Sequence, residues 1–597
     1  MSKSSKFYRM SNILILMNIL FLFCNAAQPA NSEEVFKKNN FSSILFNFIK
    51  NYESNTSKRI ILSEQDVIFY KKVFEFQKLG KWKEAENILN QIDNKILMGH
   101  VKYQKLMHPT KYRSSFEDLK SWLDNYSDHP MADRIWKLSN KRKPASTSTL
   151  ERPSVLPRLP GYGKDLKNKD YCGFKKEVKK YKTIYSTIND LIRRGRPTQA
   201  INFLSSQKNI EEHIRDDLRG RISVGYFSVG KDKKSFQLIS DAAKRSGEGN
   251  PILYWRKGLA AYRLGLVDLA LESFLKSSYI NAENFCRSAS AYWAAKILLN
   301  KGEKKKAIEL YKTAALNRLS FYGQLASEDL GLKDKLDWKL LNTGKIVDQN
   351  IIENVHFHRA VALSQVRRFG EADQEFRFLV GSVGLDKAFH LVELAHYLKL
   401  PAVQLRLGDK LEEQTSKNYN LALYPDPQWV SENSLKVDRA LLWAIIRNES
   451  AFYLKAKSYR GARGLMQIMP STARIITGDR TIRGINSWKL YDLDLNIGTG
   501  QDLLLRLLQS DNIKDSLIKL LTAWNAGPSR LDRWNKKISI FNDPLLYIES
   551  IPSRETRLFV KKVLTDLWIY RDRFDQNKTS RRQLANNEWP TYLKMEN

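Results

Sequence analysis

Apolar positions fall at helical spacing along most of this chain, and no stretch shows convincing strand alternation. Through the first two thirds a faint repeat runs beneath that periodicity. A Gly is followed five residues on by Ala or Ser, and four further by a bulky apolar residue. It recurs as Gly80/Ala85/Leu89, Gly195/Ala200/Leu204, Gly230/Ser235/Ile239, Gly265/Ala270/Phe274 and Gly302/Ala307/Tyr311. Ala372/Phe376 keeps the last two positions, with Arg367 in place of Gly. Glycines 195, 230 and 265 are 35 residues apart, and the next interval is 37. Gly suits a left-handed turn, the small residue lets two helices approach, and the bulky one fills the gap between pairs. The pattern predicts an all-α chain built on an α-solenoid, a superhelix of stacked helix pairs sharing one core.

Breaks in this periodicity divide the chain. The first is an apolar run, "ILILMNILFLFCNAA", behind Lys3, Lys6 and Arg9, which reads as an export signal over 1–27. It falls short of the ~20 residues a spanning helix needs. An N-terminal helical region, 28–140, leads into a Pro/Ser-rich connector, 141–169, containing "KRKPASTSTLERPSVLPRLPGYG". The helical-repeat domain covers 170–425. After a second break at "YPDPQWVSENS" comes a domain of helices separated by Gly and Pro turns, 433–573. A basic tail, 574–597, is expected to be poorly ordered.

The 597 residues carry a formal net charge of +35. A nucleic acid is the first partner such a balance suggests, but an export signal argues against it, as does the lack of a recognition motif. A carboxylate-bearing envelope polymer or an anionic membrane surface fits the compartment better, as does the plain abundance of Lys on helix surfaces. Of three cysteines, Cys24 leaves with the signal, while Cys172 and Cys286 can pair but need not. The eight His are scattered, with none at ligand spacing, so neither metal nor cofactor is expected.

One acidic residue stands out. In "VDRALLWAIIRNESAF", Leu441, Leu442, Ile445 and Ile446 form one helical stripe, and its continuation lands on Glu449. Burial there should raise the carboxyl's pKa, the condition for a general acid near neutral pH. The competing reading is a structural ion pair with Arg447 or Arg557. Just downstream, "SYRGARGLMQIMPSTA" supplies Gly461 and Gly464, where backbone can approach a ligand. "TAWNAGPSRLDRW" and "ESIPSRETRLFVKKV" add Asn525, Glu549, Glu555 and Arg557.

In their order and wording these runs resemble the soluble lytic transglycosylases, periplasmic murein-cleaving enzymes with a helical superhelix and a lysozyme-like catalytic domain. The matching stretches are "ESAF", "GARGLMQIMPSTA", "NIGTG", "AWNAGP", and "ESIP" with "ETR", over roughly 437–570; "FYGQLA" at 321–326 extends a weaker likeness. The resemblance implies Glu449 as catalytic acid/base. It places Ser458, Met466 and Gln467 near the cleft floor, Asn525 at the polar position of the family's AYNAG run, and Trp524, Glu549 and Phe559 among the substrate-binding residues. Trp524 and Phe559 stand where the family commonly has Tyr, and Ser553 where it has an aromatic. Two phenolic hydroxyls are therefore missing, and any hydrogen bond they made must be lost or supplied otherwise.

What the resemblance implies about function is non-hydrolytic cleavage of the bond from N-acetylmuramic acid to N-acetylglucosamine by a periplasmic exotransglycosylase. The product is a 1,6-anhydromuramic end, and peptidoglycan strands are the partner, with peripheral association with the envelope as an allowed addition. Two rivals accompany it. One is a hydrolytic muramidase using Asp492 or Asp494 to hold water; the other is a peptidoglycan-binding helical scaffold whose catalytic domain has decayed.

Overall fold

Every turn that the repeat predicts is made by a residue in the left-handed region, from φ +70° at Gly195 to +83° at Gly302. Arg367, the one position without Gly, adopts the same conformation at +60°. The small residues Ala85, Ala200, Ser235, Ala270, Ala307 and Ala372 are buried between paired helices. Leu204, Ile239, Phe274, Tyr311 and Phe376 are buried beside them. A further unit escaped the pattern: Lys399, at φ +58°, turns the chain, and Gln404 and Gly408 take the two following positions. Neither is the expected type. Gln404 fills its place by donating to Leu421 O at 2.8 Å.

These turns organise a computed structural model that describes residues 62–161, 180–279, 284–339, 348–538 and 542–594. The export signal, with Cys24, and Cys172 lie outside the described residues. Among the described residues, five helices come first: α1 Glu64–Leu79, α2 Trp82–Leu89, α3 Met98–Leu106, α4 Phe116–Tyr126 and α5 Ala132–Arg142. The superhelix follows, with α6 Lys182–Arg193, α7 Pro197–Ser206, α8 Glu212–Ser228, α9 Asp232–Ser246, α10 Ile252–Arg263 and α11 Val267–Tyr279. It continues through α12 Asn284–Asn300, α13 Lys304–Ala315, α14 Phe321–Asp329, α15 Gln349–Ile352, α16 Val355–Gln365 and α17 Phe369–Val383. It ends with α18 Ala388–Tyr397, α19 Pro401–Thr415 and α20 Asn420–Leu423. Cys286, on α12, is disulfide-bonded.

The N-terminal helices do not simply precede the superhelix. They return onto its far end. Arg359 pairs with Asp128 at 2.7 Å, Arg368 donates to Gln104 at 2.8 Å, and Gln365 exchanges hydrogen bonds with Leu62. The connector is a strap over the same helices: Leu159 N–H donates to Arg377 O at 2.9 Å, and Arg406 donates to Pro160 O at 3.1 Å. A Cβ on Gly381 of α17 would sit 2.1 Å from Pro157 O, so only Gly admits the strap. One core runs continuously from Tyr70 and Val101 to Phe376 and on into the C-terminal helices.

The C-terminal unit comprises α21 Arg439–Ser450, α22 Pro470–Thr477, α23 Leu493–Leu508, α24 Leu517–Ala526, α25 Pro528–Ile538, α26 Pro544–Ser550, α27 Arg554–Arg573 and α28 Thr579–Ala585. Among the described residues there is no strand, only isolated bridges such as Lys457 to Arg463 and Arg463 to Ile468. The tail is packed over its described residues, 574–594, contrary to expectation. Its polar residues have dedicated partners: Ser580 accepts from Trp568 at 3.0 Å, and Arg581 reaches Glu328 and Asp334 of the superhelix at 2.7 and 2.8 Å. Trp589 packs edge-on against Tyr547 at 5.1 Å.

Candidate active site

Helix α21 begins where the Asp438 carboxylate accepts from Leu441 N–H at 2.9 Å. It buries Ala440 through Ile446. It stops abruptly, because Ala451 and Phe452 are both left-handed, at φ +49° and +63°. Two consecutive non-glycine residues there cost about 1 kcal/mol or more each, and the wholly buried Phe452 ring holds them in place. Glu449 therefore sits in the last turn of α21. It is half-buried at the edge of the core rather than on its apolar side. The predicted stripe runs through Ile446 and then gives out one turn early.

The two arginines that offered a structural ion pair serve other acids. Arg447 pairs with Asp566 of α27 at 2.8 Å and lies over the Tyr424 ring. Asn448 also donates to Asp566, at 2.8 Å. Arg557 donates to Ile551 O at 2.7 Å and faces Glu549 at 3.8 Å. Glu449 receives a neutral donor: the Trp524 indole N–H from α24 lies 2.9 Å from its Oε1.

After the Ala451–Phe452 turn, the chain folds a tight loop over 456–468. Gly461 and Gly464 are left-handed, and so is Gln467, whose side-chain amide donates to Gly464 O at 2.8 Å. Ser458 shapes the same loop, its hydroxyl accepting from Ala462 N–H at 3.0 Å. Met466 is fully buried on Gly500 of α23, where a Cβ would meet its sulfur at 2.1 Å. Asn496, within the "NIGTG" run, was not singled out by sequence, yet it ties the loop down. Its Oδ1 accepts from Met466 N–H at 2.9 Å, and its Nδ2 donates to Arg463 O and Leu490 O at 3.0 and 2.8 Å. An Asn among apolar helix positions was the available signal.

Asn525 accepts from the Thr556 hydroxyl at 2.7 Å, joining α24 to the start of α27. Ser553, where an aromatic was expected, is the N-cap of α27 and accepts from Thr556 N–H at 3.2 Å. Phe559 is buried on α27, which packs on α24. Glu549 is placed elsewhere than at an open cleft. It is buried in the seam with the superhelix, receiving Lys561 at 2.8 Å and the Tyr322 hydroxyl of "FYGQLA" at 2.5 Å. Burial pushes its carboxyl up, but Lys561 and Arg557 outweigh that and hold it below the usual range.

Scattered in sequence, three groups with metal-binding atoms converge on elements that precede the C-terminal unit: His100, His129 and Glu375. Their hydrogen bonds do not suit a metal. Met131 N–H donates to His129 Nδ1 at 3.0 Å, so the ring proton must sit on Nε2, which points at His100 Nδ1 3.1 Å away. His100 then donates from Nε2 to Glu375 at 2.7 Å, and His356 donates to the other carboxylate oxygen at 2.6 Å. A metal on His129 Nε2 would need a proton on Nδ1, where a backbone N–H already points. The cluster fits a hydrogen-bonded latch between α3 and α17.

Residues 430–543, the segment carrying α21 and the Trp524–Glu449 contact, match the family model of the Transglycosylase SLT domain. The chain carries an SLT domain. The chain is 30% identical over 284 residues to the soluble lytic murein transglycosylase of Escherichia coli K12, covering 47% of this chain and 43% of that one. The Salmonella typhimurium protein of the same name is 29% identical over 302 residues, 50% and 45% of the two chains. The chain thus spans under half the length of the curated relatives it matches. Among solved structures, the 70-kDa soluble lytic transglycosylase of E. coli superposes over 89% of this chain and all of its own, with TM-score 0.50 and 17% identity. An inactive mutant of the Pseudomonas aeruginosa lytic transglycosylase Slt covers 94% and 96%, with TM-score 0.50 and 18% identity. At such identities the likeness is one of fold: a helical superhelix followed by a lysozyme-like SLT domain.

Proposed function

We propose that this chain is a lytic transglycosylase of peptidoglycan, with Glu449 as general acid and then general base. The observation that carries the reading is the meeting of Glu449 with the Trp524 indole inside the SLT domain, while Arg447 and Arg557 serve other acids. Glu449 gives its proton to the glycosidic oxygen as the C1–O bond breaks. The N-acetyl group of the muramyl residue helps carry the positive charge that develops at C1. The muramyl 6-hydroxyl then attacks C1, closing a 1,6-anhydro ring, and its proton returns to Glu449. No water is consumed, and the carboxyl is regenerated in its starting state.

The names of the curated relatives and a related structure solved with bulgecin A support murein as the substrate. A periplasmic setting follows from that substrate, and the basic surface suits its carboxylates. Among the described residues no helix is long and apolar enough to cross a membrane. The hydrolytic rival is weakened by its own candidates. Asp492 caps α23 and pairs with Lys78 of α1 at 3.0 Å, and Asp494 faces Arg367 at 3.6 Å.

Glu449→Gln tests the reading against purified murein sacculi. Wild type should release products lighter by one water than hydrolytic fragments. The variant should lose at least 10²-fold in rate at an unchanged melting temperature. Reducing ends in the wild-type product would establish the muramidase, and a wild-type protein that binds but never cleaves would establish the scaffold.

A further inference from the structure

We propose that Trp524 is a positioning residue that fixes which oxygen of Glu449 carries the transferable proton. The inference rests on the acid/base reading of Glu449. An indole has one N–H and no acceptor, whereas a phenol can donate or accept. With Nε1 of Trp524 at 2.9 Å, Oε1 of Glu449 must present a lone pair to it. The carbonyl oxygen of a carboxyl is the stronger acceptor, so this bond favours the proton on Oε2. The sequence showed a hydroxyl missing at this position; the structure replaces it with a donor whose direction cannot reverse.

Trp524 is itself held. Its helix α24 starts at the Ser516 cap, Ala523 before it is buried, and Asn525 after it is locked to Thr556. The consequences follow the reaction cycle. Oε2–H gives its proton to the leaving oxygen. In the anionic carboxylate that results, the indole bond becomes charge-assisted and strengthens. When the 6-hydroxyl closes on C1, its proton returns to Oε2, the oxygen it left. One oxygen does both transfers, and the carboxyl need not rotate between them.

The test uses the full chain on purified murein sacculi, with Trp524→Phe and Trp524→Tyr. Phe keeps an aromatic face but removes the donor. Trp524→Phe should lower kcat about tenfold with KM changed less than about twofold. Its alkaline pH–rate limb should move to higher pH, because the carboxylate has lost a hydrogen bond that favours the anion. Trp524→Tyr should recover part of kcat, with a smaller displacement of the limb. A Trp524→Phe variant with raised KM, unchanged kcat and a superimposable limb would overturn the proposal and leave a sugar platform. Should that variant not fold, Trp524→Leu, which also lacks a donor, carries the test, since an unmoved limb there also overturns the proposal. The two readings fail separately. Cleavage by Glu449→Gln sinks the acid/base role, whereas an inactive Glu449→Gln beside an unmoved Trp524→Phe limb sinks only this one.

Discussion

Replacing Lys561 by Met would show whether Glu549 belongs to the seam or to the substrate. The two side chains are each 4% exposed and 2.8 Å apart. Removing the cation strands a buried carboxylate, a change that usually costs about 3–5 kcal/mol. Arg557 at 3.8 Å and the Tyr322 hydroxyl at 2.5 Å remain and offset part of it, so about 2–4 kcal/mol is expected. The pH dependence gives the sharper signature. In the wild type, Glu549 is held below its ordinary value. Its contribution is therefore complete above about pH 4.5 and falls away as acid titrates the folded carboxyl. Without Lys561, burial dominates and raises the carboxyl instead, so the variant gains as it takes up a proton. The gap between wild type and variant should thus be widest near neutrality and shrink toward pH 4. Urea unfolding of the full chain, followed by circular dichroism and by tryptophan fluorescence from pH 4 to 8, measures that gap. A Lys561→Met protein of wild-type stability with a raised KM for murein would refute the assignment of Glu549 to the seam.

Two further outcomes follow from buried polar groups. Asn496→Leu removes the partner of Met466 N–H and the side-chain donor to Leu490 O, while Arg463 O keeps the Ile468 N–H at 3.1 Å. It should cost about 3 kcal/mol and speed amide exchange across 463–467; unchanged exchange there would show that the loop holds itself. The latch between α3 and α17 predicts acid sensitivity. Burial and neighbouring His100 push His129 well below its usual value; burial pushes Glu375 up, but hydrogen bonds from His100 and His356 hold it well below. Arg359, beside Asp128, also opposes a charge on His129. Both shifts mean that the unfolded chain binds more protons. Stability should fall from about pH 6.5 downward through His129 and again below about 4.5 through Glu375, by up to ~1.4 kcal/mol per pH unit per proton. Glu375→Gln should erase the lower window, and midpoints indifferent to pH would remove the latch.

What the sequence made legible was local, and what it hid was contact between distant segments. The Gly turns could be read because a left-handed residue every 35 or so positions is a demand on one residue's backbone, visible wherever Gly meets it. Arg367 and Lys399 meet the same demand at φ +60° and +58°, so glycine spacing undercounted the units. Glu449 was legible through the wording of its neighbours more than through its stripe, which ends at Ile446 and leaves the carboxylate half-exposed beside Trp524. The tail looked unstructured because Arg581 and Ser580 satisfy no local pattern. Their partners, Glu328, Asp334 and Trp568, are supplied by the fold. Likewise no spacing rule joins His100 to Glu375, 275 residues apart. The substituted aromatic is the instructive case. Sequence could say that a phenol was gone from position 524, but whether its hydrogen bond was gone depended on where an indole nitrogen came to lie. That nitrogen lies 2.9 Å from Glu449, so this chain has a hydrogen bond to the carboxylate from a donor whose direction cannot reverse. The absence of two tyrosines is therefore weak ground for calling the site decayed, since at one of the two positions a donor is aimed at Glu449.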